Sequence, residues 1–535
     1  MVPKPGLSFQ KWDSLYSRFG GMMVKSLNEE IARSSNIPWI RKFKQNHPSQ
    51  MALLHYNGNA RDPLDAKGDY FAGHWLYYAG SKLLTDLKAN EQESVVRVQD
   101  AKIYKTKMGR NKDANEDIGL CELNADGTLN WNKSEQVKLI SVDLENNTIT
   151  VKRAQYGTAA RAFTATKSWA ASHVTEGPWG KPGSTNGLLW LYNYASTCPK
   201  NGNGKTCSEV LIQDLVRHLK AGGDLDYNDG VTFDVLYHEI NGLSFGRQAD
   251  VNADGKGDNG SINGVNLYGI GVYNFCKEFR KVMGNEFIII ADGMITTNQR
   301  AVGILNGMEN EGWPSLRDPE MDDWSGGLNR NLFWIANTTL PSYTYINHKY
   351  LENLKVKPAD NIQRLILAVA QQLRIPISTG VQDMSSPAPE PGELFGVWDE
   401  LKMGTANKKY WLGKAIGAAK FLGRDQKDML NGDGVKLSPV FVSAFTGADL
   451  VIKKEIEGVK ISASRNGDMM FGFPKIATRD MDLLITFKVK SMSRKNYPAA
   501  MPRLLTMNLN GGVKKTITWV NNDWFEASFY CRDLK

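Results

Sequence analysis

The chain has 535 residues, of which 41% are hydrophobic and 23% charged, close to the average of folded globular domains, which excludes a disordered chain, a collagen and a disulfide-dense miniprotein. Lys and Arg number 65 against 57 Asp and Glu, a net charge of +8, and the basic residues are scattered rather than gathered into the stripe of a nucleic-acid binder. Mean hydropathy is −0.39, and no apolar run reaches the ~18 residues that span a bilayer.

Taken in chain order, strand-like and helix-like stretches alternate. The first strand is expected at Gly21–Ser26 and the second at Met51–Tyr56, running into Asn57-Gly-Asn-Ala-Arg61. From about 92 to 165 short alternating runs replace this rhythm, such as Val95–Val98, Val137–Val142 and Thr148–Lys152, and read as a β-rich insertion. Leu188–Tyr192 is the third expected strand. A helix follows over about Ser208–Lys220, with Val210, Leu211, Leu215 and Leu219 at helical spacing. Further strands are expected at Val231–Leu236, Glu286–Ala291, Gly307–Glu311, Pro341–Ile346 and Ile375–Thr379. Eight strands alternating with helices predict an α/β fold, a (β/α)8 TIM barrel over residues 1–430. A doubly wound open sheet is the rival, but neither GxGxxG nor GxxxxGK[ST] follows a strand. After about 435 the runs Phe441–Phe445, Leu450–Ile452, Val459–Ser462, Leu483–Phe487 and Thr516–Val520 read as a C-terminal β-sandwich over 435–535.

In such a barrel the C-terminal strand ends carry the working residues. Those positions hold His55, Asn57, Asn59 and Arg61 after the second strand, and Asn193 after the third. Asp234, His238 and Glu239 follow the fourth, Asp292 the fifth, and Glu309 and Glu311 the sixth. Tyr345, Asn347 and His348 close the seventh, and Gln382 and Asp383 follow the eighth. The set is carboxylates ringed by amides, histidines and aromatics. Neither a GxSxG elbow nor HExxH is present. Glycoside hydrolysis needs one carboxyl to protonate the leaving oxygen and another to stay ionised as nucleophile or base. The 14 Trp and 19 Tyr can supply faces for sugar rings. Side chains alternate along a strand, so Glu309 and Glu311 share one face.

Asp229-Gly-Val-Thr-Phe-Asp234 resembles the DGxxxD ending of the fourth strand in retaining α-glycosidases with barrel folds. The resemblance implies Asp234 as nucleophile, with the acid/base at Asp292, in Ile290-Ala-Asp-Gly293, or at Glu309, in Asn306-Gly-Met-Glu-Asn-Glu-Gly-Trp313. Trp398-Asp-Glu400 and Tyr410-Trp-Leu-Gly-Lys414 resemble the closing segment of bacterial glycoside hydrolases. The chain also resembles endo-α-fucanases, which act on sulfated fucan. Its positive charge suits an anionic substrate, sulfated or uronic. The reading is therefore an endo-acting glycoside hydrolase that cleaves a polysaccharide by a two-carboxylate retaining mechanism, and its rival is a non-catalytic carbohydrate-binding protein on a barrel scaffold.

Asp250-Val-Asn252-Ala-Asp254-Gly255-Lys256-Gly-Asp258 has oxygen donors at alternate positions and Gly at the sixth, as in a calcium loop. Asp250, Asn252, Asp254, Lys256 and Asp258 are thus the candidate set for a structural Ca2+. Its twelfth position is Ser261 rather than Glu, which is nearer to the shorter loops of dockerin and thrombospondin type. The scarcity of His, seven in all, argues against catalytic zinc. Cys198 and Cys207 bracket a turn-rich segment that a disulfide would close in an exported protein. The start, Met1-Val-Pro-Lys-Pro-Gly-Leu7, is not a signal peptide, so the secreted or periplasmic home expected for such an enzyme presumes a leader already removed.

Overall fold

In a computed structural model, the described residues are 8–17, 19–24, 30–66, 70–90, 92–109, 112–177, 187–240, 247–292, 301–311, 324–350, 360–381 and eight strands between 441 and 530. The core is a seven-stranded sheet: β1 (Gly21–Val24), β2 (Met51–Asn57), β3 (Gly230–Asp234), β4 (Ile288–Asp292), β5 (Gly307–Glu311), β6 (Tyr345–Tyr350) and β7 (Ile377–Val381). All neighbours are parallel and their order in space is their order in the chain. Each crossover therefore steps the same way. A doubly wound sheet reverses direction at a switch point, and the seven strands contain no reversal.

Helices α1 (Phe9–Tyr16) and α2 (Glu30–Asn46) flank β1. The others are α3 (Cys207–Leu219) before β3, α4 (Leu267–Met283) after it, α5 (Trp324–Asn337) after β5 and α6 (Asp360–Leu373) after β6. Val231, Phe233, Ile289, Ala291 and Met308 pack on one side of the sheet, in the same core as Leu211 and Leu215 of α3 and Val272, Phe275 and Phe279 of α4. The opposite side has its own apolar floor: Leu53, Ile288, Ile290 and Tyr345, with Met23, Met51 and Tyr343 against them. Burial on both faces is why these strands read as nearly continuous apolar runs. The helix starts are locally encoded. The Glu209 carboxylate accepts from the Thr206 N–H at 2.8 Å to open α3. Asn266 caps α4, accepting from the Gly269 N–H at 2.7 Å and donating to the His238 carbonyl at 2.9 Å.

One expected barrel strand lies elsewhere. Leu189–Leu191 pairs antiparallel with Thr175–Glu176 and Ala60–Arg61 in a separate three-stranded sheet. A short apolar run says that a strand is buried, not which sheet it joins. Closure of the seven strands into a barrel is not seen among the described residues. The insertion is a six-stranded antiparallel sheet with strands from Ser81–Lys82 to Ser168–Ser172, reaching past both ends of 92–165. It has its own core, including Val96, Ile118, Leu120, Val137, Leu139, Ile149 and Val151. Beneath it the Arg153 guanidinium and the Glu135 carboxylate, both wholly buried, pair twice, at 2.8 and 2.6 Å. Toward the C-terminus, four antiparallel pairs are formed: Phe441–Thr446 with Asp468–Gly472, Leu450–Glu455 with Gly458–Ala463, Leu484–Val489 with Phe525–Tyr530, and Arg503–Met507 with Lys515–Trp519.

Candidate functional site

Register decides which side chains meet, because partners on neighbouring strands point to the same face. Asn57 on β2 is opposite Asp234 on β3. The pairing of Phe233 with Ala291 brings Asp234 level with Asp292 on β4. Asp292 is opposite Glu309 on β5, and Glu309 opposite Tyr345 on β6. Asn57, Asp234, Asp292, Glu309 and Tyr345 thus form one row across five strands at their C-terminal ends, and Tyr345 joins the row to the apolar floor of Leu53, Ile288 and Ile290. Glu311 and its partner Asn347 form the next level.

Asp292 and Glu309 are buried, and Asp234 is half-buried. The Asn347 side-chain amide donates to the Glu309 carboxylate. Burial, and then the neighbouring charge of Glu309, hold the Tyr345 phenol far above its ordinary ionisation range. His55, one level below Asn57, sets its Nε2 3.7 Å from Asp234 Oδ2. On β2 the chain turns sharply after Asn57. A Cβ on Gly58 would sit 2.9 Å from the Leu236 Cβ, so only glycine fits this crossing. The Asn57 side-chain oxygen accepts from the Asn59 and Ala60 N–H groups at 2.9 and 3.0 Å, which turns its amide outward.

That amide meets Glu176. The Asn57 and Asn59 side chains each donate to a different oxygen of this carboxylate, Asn59 at 3.0 Å. Glu176 arrives on the strand after the insertion, and sequence reasoning missed it; Thr175-Glu-Gly-Pro178 offers no signal for it. Tyr237 was missed as well. Burial, and then the charges of Asp292, Asp234, Glu311 and Glu176, push its phenol up.

Two expected ligand-binding residues are structural. Arg61 is buried and paired with the buried Asp214 of α3. Its residue pairs with Trp190, and this turns the guanidinium toward the helices. Asn193 is buried too, donating to the Val251 carbonyl at 3.0 Å and accepting from the Ala195 N–H at 3.1 Å. Glu239 is half-buried and His238 buried in the loop after β3. The side chain of His348 lies outside the described residues, as do Gln382, Asp383, Trp398–Glu400 and Tyr410–Lys414. Cys198 and Cys207 are free and buried rather than bridged; the Cys198 thiol faces the Gly73 and Pro199 carbonyls at 3.7 and 3.5 Å.

The Asp250–Asp258 loop is wound by its own side chains. Asp250 accepts from the Asn252, Asp254 and Gly255 N–H groups at 3.2, 3.3 and 2.8 Å, and Asp258 from Val251 and Gly260 at 3.3 and 2.7 Å. Gly255 has φ +78°, a left-handed turn that glycine adopts freely. Burial, with Asp254 and Asp258 nearby, pushes the Asp250 carboxyl up to about 7. Among the described residues, no three His, Cys, Asp or Glu side chains converge to hold a metal ion.

No family model and no curated protein matches this chain. Among solved structures, the pyruvate kinase of Pyrobaculum aerophilum aligns over 72% of this chain and 68% of its own, at 8% identity and a TM-score of 0.29. A likeness that slight carries no argument about fold or activity, so the chemistry rests on the row itself.

Adjacent strands are about 4.8 Å apart. Asp234 and Asp292 therefore start one spacing apart, and Asp234 and Glu309 two, roughly 10 Å at the backbone. Carboxyl groups about 5–5.5 Å apart suit a covalent glycosyl intermediate, and about 6.5–9.5 Å suits direct attack by water. At the backbone, the Asp234–Asp292 separation lies near the shorter of these ranges and the Asp234–Glu309 separation just beyond the longer, so Asp292 stands between two candidate partners.

Proposed function

We propose that this protein is a glycoside hydrolase that cleaves a polysaccharide with two carboxylates of the row, Asp234 as nucleophile and Glu309 or Asp292 as acid/base. The observation that carries the reading is the register Asn57–Asp234–Asp292–Glu309–Tyr345 at the C-terminal ends of consecutive parallel strands. Carboxylates in unlike surroundings suit unlike protonation roles. Glu309 is buried and accepts from an amide, whereas Asp234 is half-buried beside an imidazole.

In this reading the sheet closes into a (β/α)8 barrel and the C-terminal strands pack as a β-sandwich. Sequential parallel order, an apolar inner floor and a helix-covered outer face support the barrel. An anionic glycan such as a sulfated fucan, endo action and a secreted or periplasmic home complete the proposal. Calcium on the Asp250–Asp258 loop is part of it. Three carboxylates, the Asn252 amide oxygen and the Lys256 backbone carbonyl are the hard oxygen donors this cation takes, and a bound cation would offset the burial, and then the crowding by Asp254 and Asp258, that raise Asp250. Product analysis by mass over neutral, uronic and sulfated glycans tests the activity. Release of shorter oligosaccharides is expected; tight binding without product would make the protein a carbohydrate-binding one.

A further inference from the structure

Along β3, Val231 and Phe233 face the helices, while Thr232 and Asp234 face the other way, in register with His55 and Asn57. Unbroken alternation would carry Leu236 to the Asp234 side and Tyr237 to the helix side. The reverse is seen. Leu236 is buried in the same core as Val231 and Phe233, whereas the half-buried Tyr237 feels the charges of Asp292, Asp234, Glu311 and Glu176. The switch occurs at Val235, whose φ is +49°. A β-branched residue in this left-handed region is strained, and such strain persists only where the surroundings enforce it. Here they do: the Gly58 N–H holds the Asp234 carbonyl at 2.8 Å, and the Tyr237 N–H closes a tight turn on the Val235 carbonyl at 2.9 Å.

Resting on the hydrolase reading, we propose that Tyr237 is a positioning residue of the site: strained Val235 returns its phenol to the Asp234 side of the sheet, where it donates a hydrogen bond to the carboxylate row. A donor to a carboxylate favours its ionised form, so Tyr237 keeps one carboxylate of the row charged while another carries the catalytic proton. The charges that act on this phenol are those of Asp292, Asp234, Glu311 and Glu176. Around them stand His55 on Asp234, Asn57 and Asn59 on Glu176, and Tyr345 and Asn347 on Glu309.

The sign of the effect follows from linkage. A bond to the ionised carboxylate stabilises the fold above the carboxylate range and is lost as pH falls through it, about pH 4. The test compares Tm of the full chain, Tyr237→Phe and Val235→Gly across pH. Tyr237→Phe is expected to melt lower than wild type near neutral pH, with the gap narrowing as pH falls through about 4 and closed by about pH 3. A gap independent of pH, or none at all, would overturn the proposal. Val235→Gly relieves the backbone, so its Tm at about pH 3, below the ordinary carboxylate range, is expected to equal or exceed wild type, and it should share the pH signature of Tyr237→Phe. A drop at acid pH like that of an ordinary valine truncation would remove the strain from the argument. On a cleaved glycan, Tyr237→Phe should lower kcat about 10–100-fold with KM little changed, and move the acid limb of kcat/KM to higher pH. If the wild type cleaves no glycan, the hydrolase reading fails while the melting series still decides whether Tyr237 bonds the row.

Discussion

Asp234, Asp292 and Glu309 differ by one strand spacing each, and substitution at each separates their roles. Asp234→Asn keeps the shape and removes only the ionised oxygen. It should abolish turnover, with Tm within a few degrees of wild type, as read by glycan hydrolysis and melting. Glu309→Gln should slow substrates with poor leaving groups far more than activated aryl glycosides, which need little protonation. If Asp292→Asn shows that selectivity and Glu309→Gln does not, the acid/base is Asp292. Away from the site, Glu135→Ala strands a wholly buried Arg153 guanidinium. Breaking a buried pair from one side costs about 3–5 kcal/mol, which should appear as a fall in urea midpoint without loss of the chemistry. Asp234, Asp292 and Glu309 were legible as a set of strand ends, because strand-end position and residue type coincide. Arg61 was misread because its type suits a ligand while its two-residue strand turns it onto α3.

At the scale of elements, the Asp250–Asp258 loop couples charge to folding. The raised Asp250 carboxyl, about 7 against an ordinary 3.8, means that the folded loop holds a proton the unfolded chain releases. Without a cation, stability is therefore present at acid pH and is lost as pH rises through about 7. Asp117, buried and raised to about 6, acts in the same direction, so Asp250→Asn is needed to isolate the loop. Added calcium should raise Tm most above about pH 7, where it displaces no proton, and Asp254→Ala should lose that increment. An unchanged response in Asp254→Ala would remove calcium from this loop. The insertion illustrates how an element is half legible: the runs Val95–Val98 and Thr148–Lys152 alternate clearly and are paired strands, whereas Ser81–Lys82 is too short to carry a pattern and is set only by its partners.

For the whole molecule, the carboxylate row belongs to the parallel sheet, and the strands after 441 contribute none of its residues. A chain ending at Asp425 should fold and retain cleavage of a soluble oligosaccharide, while losing any grip on long polymer that the C-terminal strands supply. A folded, inactive product of this length would show that these strands complete the site.

The sequence by itself determined the rhythm of this protein. Apolar runs buried on both faces, several of them followed by an amphipathic helix, point to a parallel sheet, because both sides of every strand need cover. Polar residues collected at the strand ends, since only there does the chain leave the two cores. Tertiary structure alone decided which strands are neighbours, and so that Asp234, Asp292 and Glu309 share a level. It sent Leu189–Leu191 to another sheet, brought Glu176 across from the insertion, and turned Tyr237 inward at Val235. Each of these depends on pairing between residues far apart in the chain, or on one backbone angle, and neither leaves a trace in local periodicity.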